Sequence, residues 1–348
     1  MNGTATNVWR QVRLLIVPIA AIMASLGATA LAIALFGADP VEVLTGMFRA
    51  SFATSYGLSE TLVKASPILL CALAVAVPAK VGLMNVGAEG QLYVGAACAT
   101  GVALSFPDSW SFALLTLMFV AAFLGGAAWA GVAAVLRTRF NTSEIMVTLL
   151  GNFLAILLVQ YLVFGPWKDP ASRGWPQSAE FVPAAVLPGI GFGRVHVGLL
   201  IGLVVAAIVF VVCSKSFLGL RLRFIQSSRR TAEYAGIPVR DYLFWALLIG
   251  GGIAALAGAA EASAIQGRLR VELSAGYGYT GILVSWLARH NPLAIVFASF
   301  FIGGLLAGGD VLQVTMGLPA ATVGIAVGTM LLFLLVGDAI VERRGSKP

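Results

Sequence analysis

Apolar runs of membrane-spanning length recur along this chain, at residues 14–36, 112–136, 145–164, 242–262 and 317–337. Each is near the roughly 20 residues that a helix needs to cross a bilayer. Lipid cannot hydrogen-bond to a backbone, so a chain with such runs must close its polar groups within itself. Composition points the same way: 59% of residues are hydrophobic, 11% are charged, and the mean hydropathy is +0.94, whereas soluble domains carry about 25% charged residues. The expectation is an all-α, polytopic membrane protein forming a single transmembrane domain over residues 1–348.

About ten transmembrane helices are expected, centred near residues 25, 72, 98, 124, 154, 205, 252, 284, 300 and 327. The eighth, "TGILVSWLARH", is only about half a span and reads as a short or broken helix. Arg10 and Arg13 precede the first run as in a signal peptide, but its 23 residues exceed the usual h-region of about 7–15, which favours a retained helix.

Basic residues set the orientation. With a cytoplasmic N-terminus, 15 of the 22 Lys and Arg fall inside and 7 outside, so both termini are expected in the cytoplasm. The net charge of +7 arises from these inter-helix links, which argues against nucleic-acid binding. Cys71, Cys98 and Cys213 lie within apolar runs without a CxxC pattern, and His196 and His290 have no companion ligands, so neither a disulfide framework nor a metal site is indicated.

Two loops are long. Residues 165–195, rich in Pro and Gly with Trp167 and Trp175, are expected outside, and residues 214–241 inside. Within the second, "SSRRTAEYAGIP" reads as a short helix. Ser227 or Ser228 caps it, Ala232, Tyr234 and Ala235 supply its apolar face, and Gly236 with Pro238 ends it. It suits either a docking partner or an anionic lipid surface. Five spans on each side of the outer loop would make two inverted five-helix halves, a transporter architecture.

"KVGLMNVGAEGQLYVGAACATG", residues 80–101, sets Lys80, Asn85, Glu89 and Gln91 among apolar neighbours. Gly82, Gly87 and Gly90 are expected to interrupt a helix descending through 65–79, and a new helix starts near Glu89 with its positive end turned inward. Asn85 and Glu89 either cap that start or, with Gln91 and with Asn152 of the fifth span, line a path for a polar substrate. No chain of Asp, Glu or His crosses the membrane as a proton relay, which counts against an ion-coupled carrier; a receptor or scaffold would move nothing.

Gly276, Gly278 and Gly281 spell GxGxxG without a βαβ setting, so a turn and close helix contact are expected rather than a dinucleotide site. "GGAAWAG", "GGGIAALAG" and "GGLLAGG" signal tight helix packing. No Walker A sequence occurs, so an ATP engine would be another subunit.

"MNVGAEGQ", "NTSEIMVTLLGNFLA", "GPWKDP" with "WPQS", "AEYAGIP" and "GYGYTGILVSWLARHNP", in this order, make the chain resemble permease subunits of bacterial ABC importers for nucleosides, related to ribose-type sugar and branched-chain amino acid permeases. The resemblance runs from about residue 60 to 337. Met84 and Val86 stand where Phe and Ile would be expected, a volume-preserving departure. The resemblance implies an inner-membrane importer subunit that is not an enzyme and carries no cofactor, with ATP and Mg on a partner ATP-binding cassette subunit. It also implies a second permease, usually a different chain, an extracytoplasmic substrate-binding lipoprotein, and a nucleoside or, alternatively, a simple sugar as cargo. By the same resemblance Arg229, Arg230, Glu233, Tyr234, Ala235, Gly236 and Ile237 form the coupling helix that docks on the ATPase.

Overall fold

A computed structural model describes residues 39–316, except 108 and 173, together with isolated positions between 23 and 37 and between 324 and 336. Most of the first and tenth expected spans, and the terminal Arg10, Arg13, Arg343, Arg344 and Lys347, lie outside the described residues.

The described regular structure is helical: α1 (Pro40–Phe52), α2 (Ser55–Ala79), α3 (Ala88–Ser105), α4 (Ser111–Phe140), α5 (Glu144–Phe164), α6 (Val197–Lys215), α7 (Phe217–Ser227), α8 (Arg229–Tyr234), α9 (Val239–Ala260), α10 (Tyr277–Leu287) and α11 (Pro292–Met316), with a π-helical turn at Glu261–Gln266. Among the described residues six helices are long and apolar enough to cross a membrane. These are α2, α4, α5, α6, α9 extended through its π-turn, and α11. Two of the ten expected spans are therefore not complete apolar spans. α3 has 18 residues with a polar start, and α10 has only 11 residues, as its Gly-rich approach and the following "HNP" suggest. The protein is thus an all-helical, polytopic membrane protein.

The chain divides into two compact units, residues 1–61 with 301–348, and residues 62–300. In the first, Asp39 caps α1 by accepting from the Val41 N–H at 2.8 Å, and Pro40 occupies the first turn, where its missing N–H costs nothing. Val43 and Met47 of α1 then pack with Ile33 and Leu312. Gly304 and Gly308 of "GGLLAGG" face the Phe52 ring and the Met47 carbonyl, so that motif does serve packing.

In the second unit, α3 is enclosed by α4, α5, α9 and α10. The apolar windows of α2 and α9 are 78% and 72% buried, against 22%, 28% and 22% for α4, α5 and α6. The outer three helices turn their large residues outward. On α5, Met146, Leu150, Phe153, Leu154, Leu157 and Tyr161 are exposed, while Thr148, Asn152, Ala155 and Val159 face in. Acyl chains are as apolar as leucine, so small and polar residues make the helix contacts and bulky ones meet lipid.

Close approach replaces bulk at the centre. Gly126 of α4 and Gly251 of α9 meet backbone to backbone, and Gly258 lies against the Leu92 carbonyl of α3. Outside the helices, residues 165–195 lie against the segment after the π-turn. Phe181 N–H donates to the Gly267 carbonyl at 2.8 Å, and Arg268 pairs with Glu180 at 2.9 Å.

A Cβ on Gly251 would stand 2.5 Å from the Gly126 carbonyl oxygen. Gly251→Val should therefore destabilise the protein by about 1–3 kcal/mol, as overpacking does, read as a lowered thermal midpoint in detergent. Gly131→Ala is the contrast, because its nearest neighbour is Leu248 at an ordinary 3.7 Å. That variant should hold or raise the midpoint, since Ala is the better helix former.

Candidate functional site: a broken helix tied to a short loop helix

Between the buried helices α2 and α3 the backbone N–H groups from 84 to 87 make no helical bonds. Gly82, at φ +70°, reverses the chain in a conformation that a side chain would strain. Beyond it the backbone enters a packed environment, where polar groups left unpaired cost free energy. α5 supplies them at helical spacing. Glu144 accepts from the Met84 N–H at 3.4 Å and Thr148 from the Val86 N–H at 3.3 Å. Asn152 accepts from the Gly90 N–H at 2.8 Å and donates to the Val86 carbonyl at 2.9 Å. Positions 144, 148 and 152 fall on one face of a 3.6-residue helix. Glu144 is itself held by Arg137 at 3.2 Å.

All four expected path residues meet in this place. Asn85 and Asn152 are 0% exposed, Gln91 1% and Glu89 3%. Asn85 and Gln91 join amide to amide, with Nδ2 donating to Oε1 at 2.9 Å and Nε2 donating to Oδ1 at 3.0 Å. Asn85 Oδ1 also accepts from the Gly87 N–H at 3.0 Å. Glu89 departs from the expectation that it caps its own helix. Its carboxylate accepts from the Gly278 N–H at 2.7 Å and so caps α10, a helix remote in sequence. The start of α3 has no cap from its own N-cap residue, Gly87, and its first turn is served by Asn152 instead. Gly278 lies directly on the Glu89 backbone, and Gly281 on Cys71 and Ala72, so the glycines of the false GxGxxG serve close approach as expected.

Sequence reasoning missed several members. Tyr279, 39% exposed, presents its hydroxyl to Asn152 Nδ2 at 3.4 Å. The Tyr93 hydroxyl donates to the Val271 carbonyl at 3.1 Å and pins the approach to α10. Glu144 and Thr148 were visible at four-residue spacing ahead of Asn152; no local signal marked the two tyrosines. Among the described residues no three His, Cys, Asp or Glu side chains gather as a metal site.

The short helix α8 of the 214–241 loop reaches the same break. Ser228 caps α8 by accepting from the Thr231 N–H at 3.3 Å, and Gly236 at φ +75° ends the turn, both as expected. Arg229 donates to the Gly82 carbonyl at 3.0 Å, and Gln226 to the Ala79 carbonyl at 3.3 Å. Ala232 is buried with Val81, Leu83, Ile225 and Val239, and Ile237 packs on that cluster. The expected apolar face needs correction. Tyr234 is 81% exposed and Ala235 is also exposed, because the helix turns Ala232 and Ile237 inward instead. Arg230 and Glu233 are exposed too, so α8 offers Arg230, Glu233 and Tyr234 outward from an anchored base.

Comparison with known proteins decides the family. The model of the branched-chain amino acid transport system permease component matches residues 57–335. The chain belongs to that family. It is therefore a permease subunit of an ABC transporter, a transport component and not an enzyme. It is 37% identical over 334 residues to the glucose ABC transporter permease protein TsgB13 of Haloferax volcanii, covering 92% of this chain and 87% of that one. It is 30% identical over 334 residues to the guanosine ABC transporter permease protein NupP of Bacillus subtilis, covering 94% of each. The nucleoside ABC transporter permease protein NupB of Lactococcus lactis is 24% identical over 333 residues, covering 93% of this chain and 91% of that one.

Asn152→Leu strands the Gly90 N–H and the Val86 carbonyl, and should destabilise the permease by about 1–3 kcal/mol. Asn85→Leu and Gln91→Leu should each destabilise, while the double variant should fall well short of their sum, because either single change already removes both amide–amide bonds. Thermal unfolding of the four proteins checks both statements.

Proposed function

We propose that this permease imports nucleosides into the cytoplasm by alternating access driven by ATP hydrolysis on a partner subunit. The support is that the residues quoted for the resemblance are those that assemble the broken helix and the loop helix. Proteins named for guanosine and nucleoside transport also match over more than nine-tenths of this chain. Simple-sugar import is the second reading, favoured by the 37% identity to a glucose permease. The same proposal includes a single transmembrane domain of about ten helices in two inverted halves. Both termini and the loop 214–241 are cytoplasmic, the loop 165–195 is extracytoplasmic, and the protein resides in a bacterial inner membrane. A cassette ATPase with bound ATP and Mg, a second permease and a substrate-binding lipoprotein complete the transporter.

In this account Asn85, Glu89, Gln91 and Asn152 border the path in a closed arrangement. Paired amides can exchange partners with a donor-rich neutral solute without charging the site, so the solute passes without tight retention. Tyr279 is the aromatic surface nearest them. The exposed residues of α8 dock on the ATPase, and Arg229 carries their displacement to Gly82, at the head of the break that leads into α3.

Reconstituted with its partners, lipoprotein and ATP, the permease should take up labelled guanosine, and uptake should vanish without the ATPase. Aromatic stacking on a base is worth about 1–3 kcal/mol, so Tyr279→Ala should lower guanosine uptake several-fold. Glucose uptake exceeding guanosine uptake in the unchanged transporter would favour the sugar reading. At the coupling helix nothing lies within 4 Å of a Cβ on Gly236, so only its positive φ resists substitution. Gly236→Val should leave ATP hydrolysis running with transport lost, whereas Gly236→Asn, which tolerates the left-handed region, should keep both.

A further inference from the structure

Two cavities meet where α6 turns into α7. The first, about 400 Å³, is polar and basic: Lys80, Arg223 and Arg289 line it with Ser214, Gln226 and Asn291, and no carboxylate is among its lining residues. The second, about 440 Å³, is an apolar groove walled by Val77, Ile208, Val212, Trp245 and Ile249. Cys213 and Leu222 line both, so the basic cavity and the groove lie side by side. Asp241, exposed at the first turn of α9, is the one acidic residue along the groove.

The three long helices around this corner present corresponding ends. Lys80 follows the last residue of α2, Cys213 and Ser214 are in the last turn of α6, and Asp241 is in the first turn of α9. From Asp241 the groove follows α9 to Ile249, eight residues or about 12 Å into the span. α7 lies across this corner as an interfacial helix, with Phe217, Leu220 and Phe224 exposed. Arg221 is occupied, its guanidinium over the Phe217 ring at 4.7 Å and its Nη1 donating to the Tyr242 hydroxyl at 2.9 Å. Arg223 instead faces the basic cavity. Burial pushes the Lys80 amine below its ordinary range, with Cys213 opposing the shift and the neighbouring Arg223 charge adding to it.

We propose that this corner binds one anionic phospholipid, its phosphate between Lys80 and Arg223 in the basic cavity and an acyl chain in the apolar groove. A free phosphate would satisfy the cations and leave the groove empty. A neutral lipid would fill the groove and bring no net negative charge to Lys80 and Arg223. An anionic lipid alone matches both halves, and basic pockets between helices at the cytoplasmic face suit such headgroups. The site sits beside Gln226 and Arg229, the side chains that hold the break, so a bound lipid would brace the same joint.

Native mass spectrometry of the full-length chain in neutral detergent, offered equal phosphatidylglycerol and phosphatidylcholine, tests this without reference to transport. One phosphatidylglycerol should be retained preferentially. Each cation near a lipid surface contributes about fivefold, so Lys80→Gln with Arg223→Gln should reduce the preference roughly thirtyfold. Lys80→Arg with Arg223→Lys should keep it, which separates charge from a folding defect. Val212→Trp, which fills the groove and leaves the cations, should lower retention of both lipids. Millimolar inorganic phosphate or glycerol 3-phosphate should not displace the lipid. Undiminished preference in the Gln pair, retention unaffected by Val212→Trp, or displacement by soluble phosphate would each overturn the proposal.

Discussion

A membrane helix that unwinds must find partners for its freed backbone inside the protein, and this requirement organises the centre of the permease. The chain leaves the helix at Ala79 and resumes it at Ala88. Between them, and at the following turn, Glu144, Thr148 and Asn152 serve the backbone from one face of α5, while Asn85 serves Gly87 from within. Unsatisfied, each such group would cost on the order of 1–3 kcal/mol. Removing the break would spare that cost, but it would also remove a place in the centre where the backbone has an alternative to the helical ladder. Polar side chains that hold a joint are side chains that can release it.

The joint has two handles. Toward the half-helix α10, Glu89 accepts from the Gly278 N–H, so a carboxylate on α3 steadies the positive end of a second short helix. Toward the loop helix, Arg229 grips the Gly82 carbonyl, and Ala232 shares an apolar cluster with Val81 and Leu83. Rigid helices joined through discrete hydrogen bonds transmit displacement better than a flexible loop would. Exposed Tyr234 at the far side of α8 and buried Asn85 within the break are thereby linked through contiguous contacts.

Much of this was legible in the sequence where the signal was local. Ser228, Gly236 and Pro238 bracket α8 through capping and turn chemistry that acts within a few residues. The glycines after residue 80 and the short "TGILVSWLARH" marked the break and the half-helix for the same reason. The inward face of α5 was half legible. Asn152 stood out, but the helix is apolar on both sides, so periodicity alone could not say which side met lipid. Partners distant in sequence were not legible. Glu89 sits at the start of α3 and looked like its cap, yet Gly278, 189 residues away, comes close enough to take the carboxylate instead. Tyr234 looked apolar enough to be buried, but Ala232 and Ile237 already fill the cluster beneath α8.

Hydrogen exchange of the backbone amides of residues 83–91 in the assembled transporter bears on the central claim most directly, because each amide with an assigned partner should be protected as that partner is held. Without nucleotide, Met84, Val86, Gly87 and Gly90 should exchange slowly. ATP bound to the partner subunit should raise their exchange, and Asn152→Leu should raise it at Gly90 even without ATP. Fast exchange at all four amides in every state, or protection indifferent both to nucleotide and to Asn152→Leu, would contradict a joint held by α5 and released through α8.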